Sequence, residues 1–529
     1  MSTMPPPRSW LRDPWCWALG LASCLLLLIN LQSSGLLWQD EAETAVLARN
    51  VLNFGYPRVF DGLNRVNPGL MSGPGQSWAY HPWLQFYLVA ASFMLFGTTT
   101  VAARLPFAVL GVVTVLLAYR LALRLVQHQL VARLTSILTL LSVPLILHSR
   151  QCRYYSLATV ATLWVIYAYV RAREGNRRAW WSLAVALVVL FNSHHGAFVP
   201  MIAALLLDLW RQGIPRSDRP IALVSAAVVA TFTLPWFFVL NLMQHSGAFS
   251  LREIAHHIQF YVRQVNRYLF PAGFLLLVWL LRGIRPVASW SSASAAQRAS
   301  LRIVFLVLAC NLAFIATIPW QRHFRYVIHL APLLYFVQAI CLWVWLKHRR
   351  LLLAAITFLL VATDLLHYSA PYVIVQAIPR FRHTVARAHG LVTPESLLAK
   401  YAYELTHEYR GPVEGIVEQL RRDARPGESL KTPYDDHGVI FYTNLKVEDL
   451  NRFTAPTYPD WIIPRRDWIV TSEFFASPYF KEIDKTYDRI VTDAPDLAWE
   501  NRPDPGSHHF WTAQWAPPVV LYHKRAAPR

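Results

Sequence analysis

Residues 36–50 read LLWQDEAETAVLARN and place Asp40, Glu41 and Glu43 within four positions. A carboxylate held in a fixed position can take a proton from an attacking hydroxyl, so the stretch is a candidate for general-base chemistry. A plainer reading exists. Asp40-x-x-Glu43 matches a capping box, with Asp40 at the N-cap and Glu43 at N3 of a helix running through Val46, Leu47 and Val51. That box leaves Glu41 unexplained. Residues 1–370 contain only ten acids, and three of them stand here, directly after an apolar run of membrane-helix length. An uncompensated charge at that depth is costly, and carboxylates kept there mark function more often than capping.

The other residues with chemical potential are basic or aromatic. His81 lies in QSWAYHPWLQFYL; Arg150, Arg153 and Tyr154 lie in HSRQCRYYSLA; Arg263 and Arg267 lie in a later loop; His323, Arg325 and Tyr326 lie in PWQRHFRYVIHLAP. Taken singly, these fit an interfacial aromatic belt and snorkelling arginines. Taken with the carboxylates, they fit one substrate class, a sugar joined to a lipid phosphate. Guanidinium forks match phosphate oxygens and would stabilise a departing phosphate, while Asp40 would accept the proton of the attacking hydroxyl.

Such residues need a membrane scaffold to hold them, and the composition supplies one. The 529-residue chain is 55% hydrophobic and 15% charged, against about 25% charged in soluble domains. Apolar runs predict about eleven spans, at 14–34, 101–123, 130–148, 154–170, 178–193, 197–211, 220–241, 268–281, 300–318, 326–346 and 350–369. A shorter run, Trp83–Phe96, decides the orientation. If it lies along the surface and the N-terminus is cytoplasmic, the arginine clusters at 120–133, 171–178, 211–219, 282–302 and 347–350 all face the cytoplasm, as the positive-inside rule requires. The acidic cluster, the first outer loop (35–100) and residues 371–529 then face outward. The N-terminal run also matches a signal peptide, and Leu21-Ala22-Ser23-Cys24 a lipoprotein site, but Leu25–Ile29 continues the apolar stretch and favours a retained first helix.

Residues 371–529 carry 20 basic and 21 acidic residues, whereas 1–370 carry 30 and 10. The excess positive charge therefore belongs to the membrane part, and nothing in it resembles a nucleic-acid-binding surface. The tail predicts a small α/β domain, with a helix at Val413–Asp423 and strands at Gly438–Thr443, Trp468–Thr471 and Val519–His523. The five cysteines form neither a disulfide framework nor a zinc pattern.

Asp40-Glu41 after the first span, YHPWLQFYL followed by FGTTTVAARLPFAVLG, SRQCRYYSLA, and RHFRYVIHLAP together resemble the GT-C glycosyltransferases, in particular bacterial relatives of protein O-mannosyltransferases and of the lipid A aminoarabinose transferase. The resemblance covers most of 36–332. It implies a mainly α, polytopic membrane protein with an extracytoplasmic α/β domain, and transfer of a sugar from a polyprenyl-phosphate donor to a lipid A or core saccharide, another envelope glycan or a protein hydroxyl. It implies Asp40 as the base, Glu41 as its partner or a metal or sugar contact, His81 beside the lipid phosphate, and Arg263 or Arg267 with Arg325 and Tyr326 completing the phosphate grip. Many such proteins carry an acid in the second outer loop, where this chain has Arg150, Gln151 and Arg153; no obligatory metal is expected, although a divalent ion fits the general chemistry. The resemblance places the protein in the plasma (inner) membrane. A transporter or flippase for a lipid-linked anion is the rival reading, but it leaves the outer acidic cluster without a task and lacks inverted repeats.

Overall fold

A computed structural model describes residues 13–66, 72–239, 250–281, 295–317, 322–368, 395–434, 436–449, 458–465, 480, 482–497 and 501–525. The chain divides into two compact units. The first comprises Met1–Ile29, Phe107–Arg150 and Tyr154–Lys400, and the second Asn30–Pro106, Gln151–Arg153 and Tyr401–Arg529. The expected boundary after residue 370 falls outside the described residues, and the division does not follow the chain there: the first outer loop and the tail belong to one unit.

Each of the expected apolar runs contains a helix: α1 (Pro14–Leu28), α4 (Thr100–Val126), the pair α5 (Gln129–Leu140) and α6 (Val143–Ser149), α7 (Tyr155–Arg173), α8 (Arg178–Ser193), α9 (His195–Gln212), α10 (Arg219–Val239), α12 (Ala272–Leu281), α13 (Ala295–Thr317), α14 (Ala331–Leu346) and α15 (Arg350–Ala362). Among the described residues, the helical stretches Thr100–Val126, Arg216–Phe238 and Ile328–Leu346 are individually long and apolar enough to cross a membrane. The run expected at 130–148 bends by 61° between α5 and α6. The bend has a local cause. Ser142 caps α6 by accepting from the Leu145 amide at 3.3 Å, and Pro144 sits in the first turn, where its missing N–H costs nothing. In the first unit, Gly111 lets helices approach closely: a Cβ there would meet the Ser149 side chain at 2.8 Å and Leu27 at 3.1 Å.

The second unit holds α2 (Gln39–Phe54) and α3 (Leu84–Phe96). At 13 residues α3 is about 20 Å long, short of an apolar core about 30 Å thick. Phe86, Val89, Ala90 and Phe93 are buried along one helical face, while Met94, Leu95 and Phe96 are exposed. The unit also contains α16 (Leu397–Thr406, shared with the first unit), α17 (Pro412–Asp423), α18 (Asp436–Tyr442), the short α19 (Ile483–Thr486) and a five-stranded sheet of order β2-β1-β3-β5-β4. The strands are β1 (Ser429–Thr432), β2 (Lys446–Asp449), β3 (Trp461–Ile462), β4 (Tyr487–Pro495) and β5 (Pro518–Lys524). β1 pairs in parallel with β2 and β3, and β5 pairs antiparallel with β3 and β4. Ile416 and Leu420 of α17 and Val439 of α18 join Leu430, Trp461, Val519 and Leu521 of the sheet in one core.

Two tail expectations held, the helix α17 and a strand over Val519–His523 within β5. The strand expected at Gly438–Thr443 is instead the helix α18. The apolar run Val439-Ile440-Phe441 fits a buried strand by composition, but β1 and β2 are parallel and need a crossover, which α18 supplies. The strand expected at Trp468–Thr471 lies outside the described residues. Tertiary bonds explain why the outer loop and tail compact together. Arg49 of α2 donates to the Ile440 carbonyl at 3.3 Å, Asn64 Nδ2 donates to the Leu445 carbonyl at 2.9 Å, and the Val447 amide donates to Asn64 Oδ1 at 2.7 Å.

Candidate active site

Helix α2 starts at Gln39, two residues earlier than a capping box with Asp40 at the N-cap requires. Its N-cap is Trp38, and no side chain caps it. The capping-box reading is thereby corrected: the carboxylates are drawn away from the helix end by cations from elsewhere in the chain. Helical spacing then sorts them. Asp40 and Glu43 are three residues apart and share a face, whereas Glu41 points to another.

On the shared face sits Arg153. Its Nη1 donates to the Asp40 carbonyl at 3.0 Å, to Glu43 Oε1 at 2.9 Å and to Thr44 Oγ1 at 3.1 Å, and its Nη2 lies 3.6 Å from Asp40 Oδ2. Arg153 and Glu43 are buried, with side-chain exposures of 2% and 7%, but Asp40 retains 26%. His81 completes the group. Its Nδ1 lies 3.5 Å from Glu43 Oε1 and its Nε2 lies 3.5 Å from Arg153 Nη2. A ring nitrogen facing a guanidinium N–H must accept and one facing a carboxylate must donate, so the geometry suits the neutral Nδ1–H tautomer. The ring stacks on Trp78, with centroids 5.9 Å apart.

The electrostatics agree. Burial and the Arg153 charge push the His81 imidazole below its ordinary 6.5, outweighing Glu43 and Asp40. For Glu43, burial acts upward, but the His81 hydrogen bond and the Arg153 charge outweigh it and hold the carboxyl at about 2 against an ordinary 4.5. Both shifts have the same sign for stability, because in each case the unfolded chain binds more protons. The His81 contribution is complete above pH 6.5 and declines as pH falls below it; the Glu43 contribution is complete above 4.5 and declines toward 2. Unfolding temperature should therefore fall on acidification below about pH 6.5, and Glu43→Gln should flatten the portion below about 4.5. Scanning calorimetry across pH checks this.

On the other face, Glu41 is fully buried and bound side-on by Arg104, with Nε–Oε1 at 2.9 Å and Nη2–Oε2 at 2.6 Å. Arg104 also donates to the carbonyls of Leu31, Gly35 and Leu36, and Glu41 Oε1 accepts the Cys152 amide at 2.6 Å. The expectation that Glu41 touches a metal or sugar is not what this geometry offers; its oxygens are committed to the protein. Arg104 escaped the sequence reading. The available signal was a lone arginine near the start of an otherwise apolar span, which demands a partner. Gly35 belongs to the same knot: its φ of +87° lies in the left-handed region and a Cβ would strike the Glu414 carboxylate.

The remaining expected residues lie in the first unit. Arg150 is buried and closes the end of α1, donating to the carbonyls of Leu27 at 3.1 Å and Ile29 at 2.8 Å. Its expected role at the substrate gives way to helix capping. Arg267 pairs with Asp364 at 2.7 Å and lies 4.2 Å over the Tyr368 ring, while a second nitrogen, Nη1, is buried without a partner among the described residues. Arg263 is exposed on the same helix, α11 (Leu251–Tyr268). Tyr154 and Tyr326 both border His194, at centroid separations of 4.9 and 6.4 Å, and His323 packs edge-on to Tyr326 at 5.5 Å. Arg325 sits in the same 3₁₀ turn, Phe324–Tyr326, with its guanidinium 6.0 Å from the Tyr326 ring.

Residues 80–238 match the family described as dolichyl-phosphate-mannose-protein mannosyltransferase. The structure is similar to that of ArnT from Cupriavidus metallidurans bound to undecaprenyl phosphate, with a TM-score of 0.55 and 14% identity over 97% of this chain and 98% of that one. The apo form of the same protein gives 0.52 and 15% identity over 82% and 85%. The likeness to these two structures is one of fold. A curated relative, the undecaprenyl phosphate-alpha-4-amino-4-deoxy-L-arabinose arabinosyl transferase 1 of Pseudomonas fluorescens (strain Pf0-1), is 26% identical over 314 residues, 54% of this chain. That match spans about half of the relative's length, 51%.

Proposed function

We propose that this protein is a GT-C integral membrane glycosyltransferase that moves a sugar from a polyprenyl-phosphate donor to a cell-envelope acceptor at the outer face of the plasma membrane. The acceptor is a lipid A or core saccharide, another glycan or a protein hydroxyl. The observation that carries the reading is the asymmetry of the acidic cluster: of its three carboxylates, Asp40 alone is both anchored by a cation and open to solvent. Two guanidinium groups, Arg104 and Arg153, meet the three carboxylates, and Asp40 is the one of the three that a proton from outside can reach.

In this mechanism the acceptor hydroxyl loses its proton to Asp40 as its oxygen bonds to the sugar C1. The C1–O bond to the lipid phosphate breaks with inversion, and the polyprenyl phosphate leaves with the electron pair. His81 lends a neutral donor and acceptor rather than a charge. Arg267, whose Nη1 is buried without a partner among the described residues, and Arg325 with Tyr326 keep the lipid-phosphate role that the resemblance implies; a guanidinium at the phosphate steadies the charge that grows on the leaving oxygen.

The test is sugar transfer by the purified protein in detergent. Transfer from a polyprenyl-phosphate sugar to added acceptor without a sealed membrane supports a transferase, and its absence together with substrate movement in vesicles supports a transporter instead. Arg267→Ala should raise the donor KM by about tenfold or more with a smaller loss in kcat, since a charged hydrogen bond contributes about 1.5–3 kcal/mol. An unchanged donor KM would remove Arg267 from the phosphate grip.

A further inference from the structure

The resemblance to GT-C proteins raises a divalent ion between acidic residues as a means of organising the site, and the residues present do not fit one. Among the described residues, no group of three or more His, Cys, Asp or Glu side chains is arranged to hold a metal. The nearest candidates, Asp40, Glu43 and His81, converge on a guanidinium instead. Arg153 Nη1 is 2.9 Å from Glu43 Oε1, and Nη2 is 3.6 Å from Asp40 Oδ2 and 3.5 Å from His81 Nε2. A divalent ion needs oxygen ligands at about 2.0–2.6 Å. To gain them from these groups it would have to stand where the Arg153 nitrogens stand, and it would meet their charge in a buried setting.

We propose that Arg153 is the resident cation of this site, a built-in replacement for a divalent ion that holds Asp40 in position for proton abstraction. The proposal rests on the reading of Asp40 as the base and deepens it. Arg153 acts as a positioning residue, and its mounting is visible. Glu41, locked by Arg104, accepts the amide of Cys152 at 2.6 Å, and this fixes the backbone one residue before Arg153. The guanidinium then spans the helix face, with Nη1 on the Asp40 carbonyl at 3.0 Å and Thr44 Oγ1 at 3.1 Å. The groups that meet it in the bonds given above are acceptors or anions: Asp40, Glu43, Thr44 and the neutral ring of His81. The side chain is 2% exposed, so the charge is a fixed part of the interior and cannot be exchanged with solvent ions.

Three measurements on the full-length protein in detergent test this. Wild-type transfer should survive EDTA, and titration of the protein with Mn²⁺ followed by electron paramagnetic resonance should show no stoichiometric site. Arg153→Ala should lose transfer by at least a hundredfold and recover part of it on addition of methylguanidinium. Arg153→Lys should retain more activity than Arg153→Ala and shift the acidic limb of the pH–rate profile, which a purely structural role would leave in place. EDTA-sensitive transfer restored by Mn²⁺, a stoichiometric Mn²⁺ site in the wild type, or an Arg153→Ala protein with wild-type rate and pH profile would each overturn the proposal. If Arg153→Ala fails to fold, the lysine variant and the Mn²⁺ titration decide it. The titration also separates the two readings: a wild-type protein that transfers no sugar removes the proposed function, whereas a Mn²⁺ site removes the resident cation alone.

Discussion

Asp40→Asn is expected to lower the rate of sugar transfer at least about a hundredfold while leaving donor binding and unfolding temperature close to wild type. The magnitude follows from the role, since a positioned general base contributes about 10²–10⁴ in rate. The selectivity follows from the geometry. Asparagine keeps the shape and an acceptor oxygen for Arg153 but cannot take a proton. The Asp40 side chain is 26% exposed and its ion pair with Arg153 is long, at 3.6 Å, so little folding energy is lost. Glu43→Gln is the informative contrast. Glu43 is 7% exposed and holds Nη1 at 2.9 Å, so its loss should disturb stability as well as rate. Mass spectrometry of the product, donor titration and calorimetry on the same purified variant give the three readouts. Full transfer by Asp40→Asn would sink the assignment of the base.

The largest stability effect should come from Glu41, the neighbouring carboxylate. Glu41→Ala leaves Arg104 charged and buried with no carboxylate to face, and breaking one side of a buried pair costs about 3–5 kcal/mol. The loss spreads further than a simple pair, because Arg104 also gathers the carbonyls of Leu31, Gly35 and Leu36, and Glu41 also holds the Cys152 amide. Poor yield and a much lower unfolding temperature are expected. Replacing both partners, as in Glu41→Leu with Arg104→Met, should be less harmful than the sum of the single changes, since no unpaired charge remains. A Glu41→Gln protein with wild-type stability and no transfer would reverse this reading and return Glu41 to the substrate.

These two carboxylates, adjacent in sequence, show where local pattern stops being informative. Composition alone determined the helical membrane body: with 55% hydrophobic residues in runs near spanning length, apolar burial leaves few alternatives. The scarcity of acids singled out residues 40–43, because charges retained beside a span need a reason. Helical periodicity was enough to pair Asp40 with Glu43 and set Glu41 apart. Which cation meets which carboxylate was decided by tertiary structure. Arg104 lies 63 residues from Glu41, and Arg153 lies 110 residues from Glu43. Spacing rules act within a turn or a strand pair and carry no information across such distances. Read locally, Arg150 and Arg153 are equivalent, three residues apart on one loop; in the fold the first closes a helix end and the second enters the acidic cluster. The same limit explains α18. A short apolar run such as Val439-Ile440-Phe441 suits a buried strand or a buried helix equally. Only the parallel pairing of β1 with β2, which requires a crossover between them, makes it a helix.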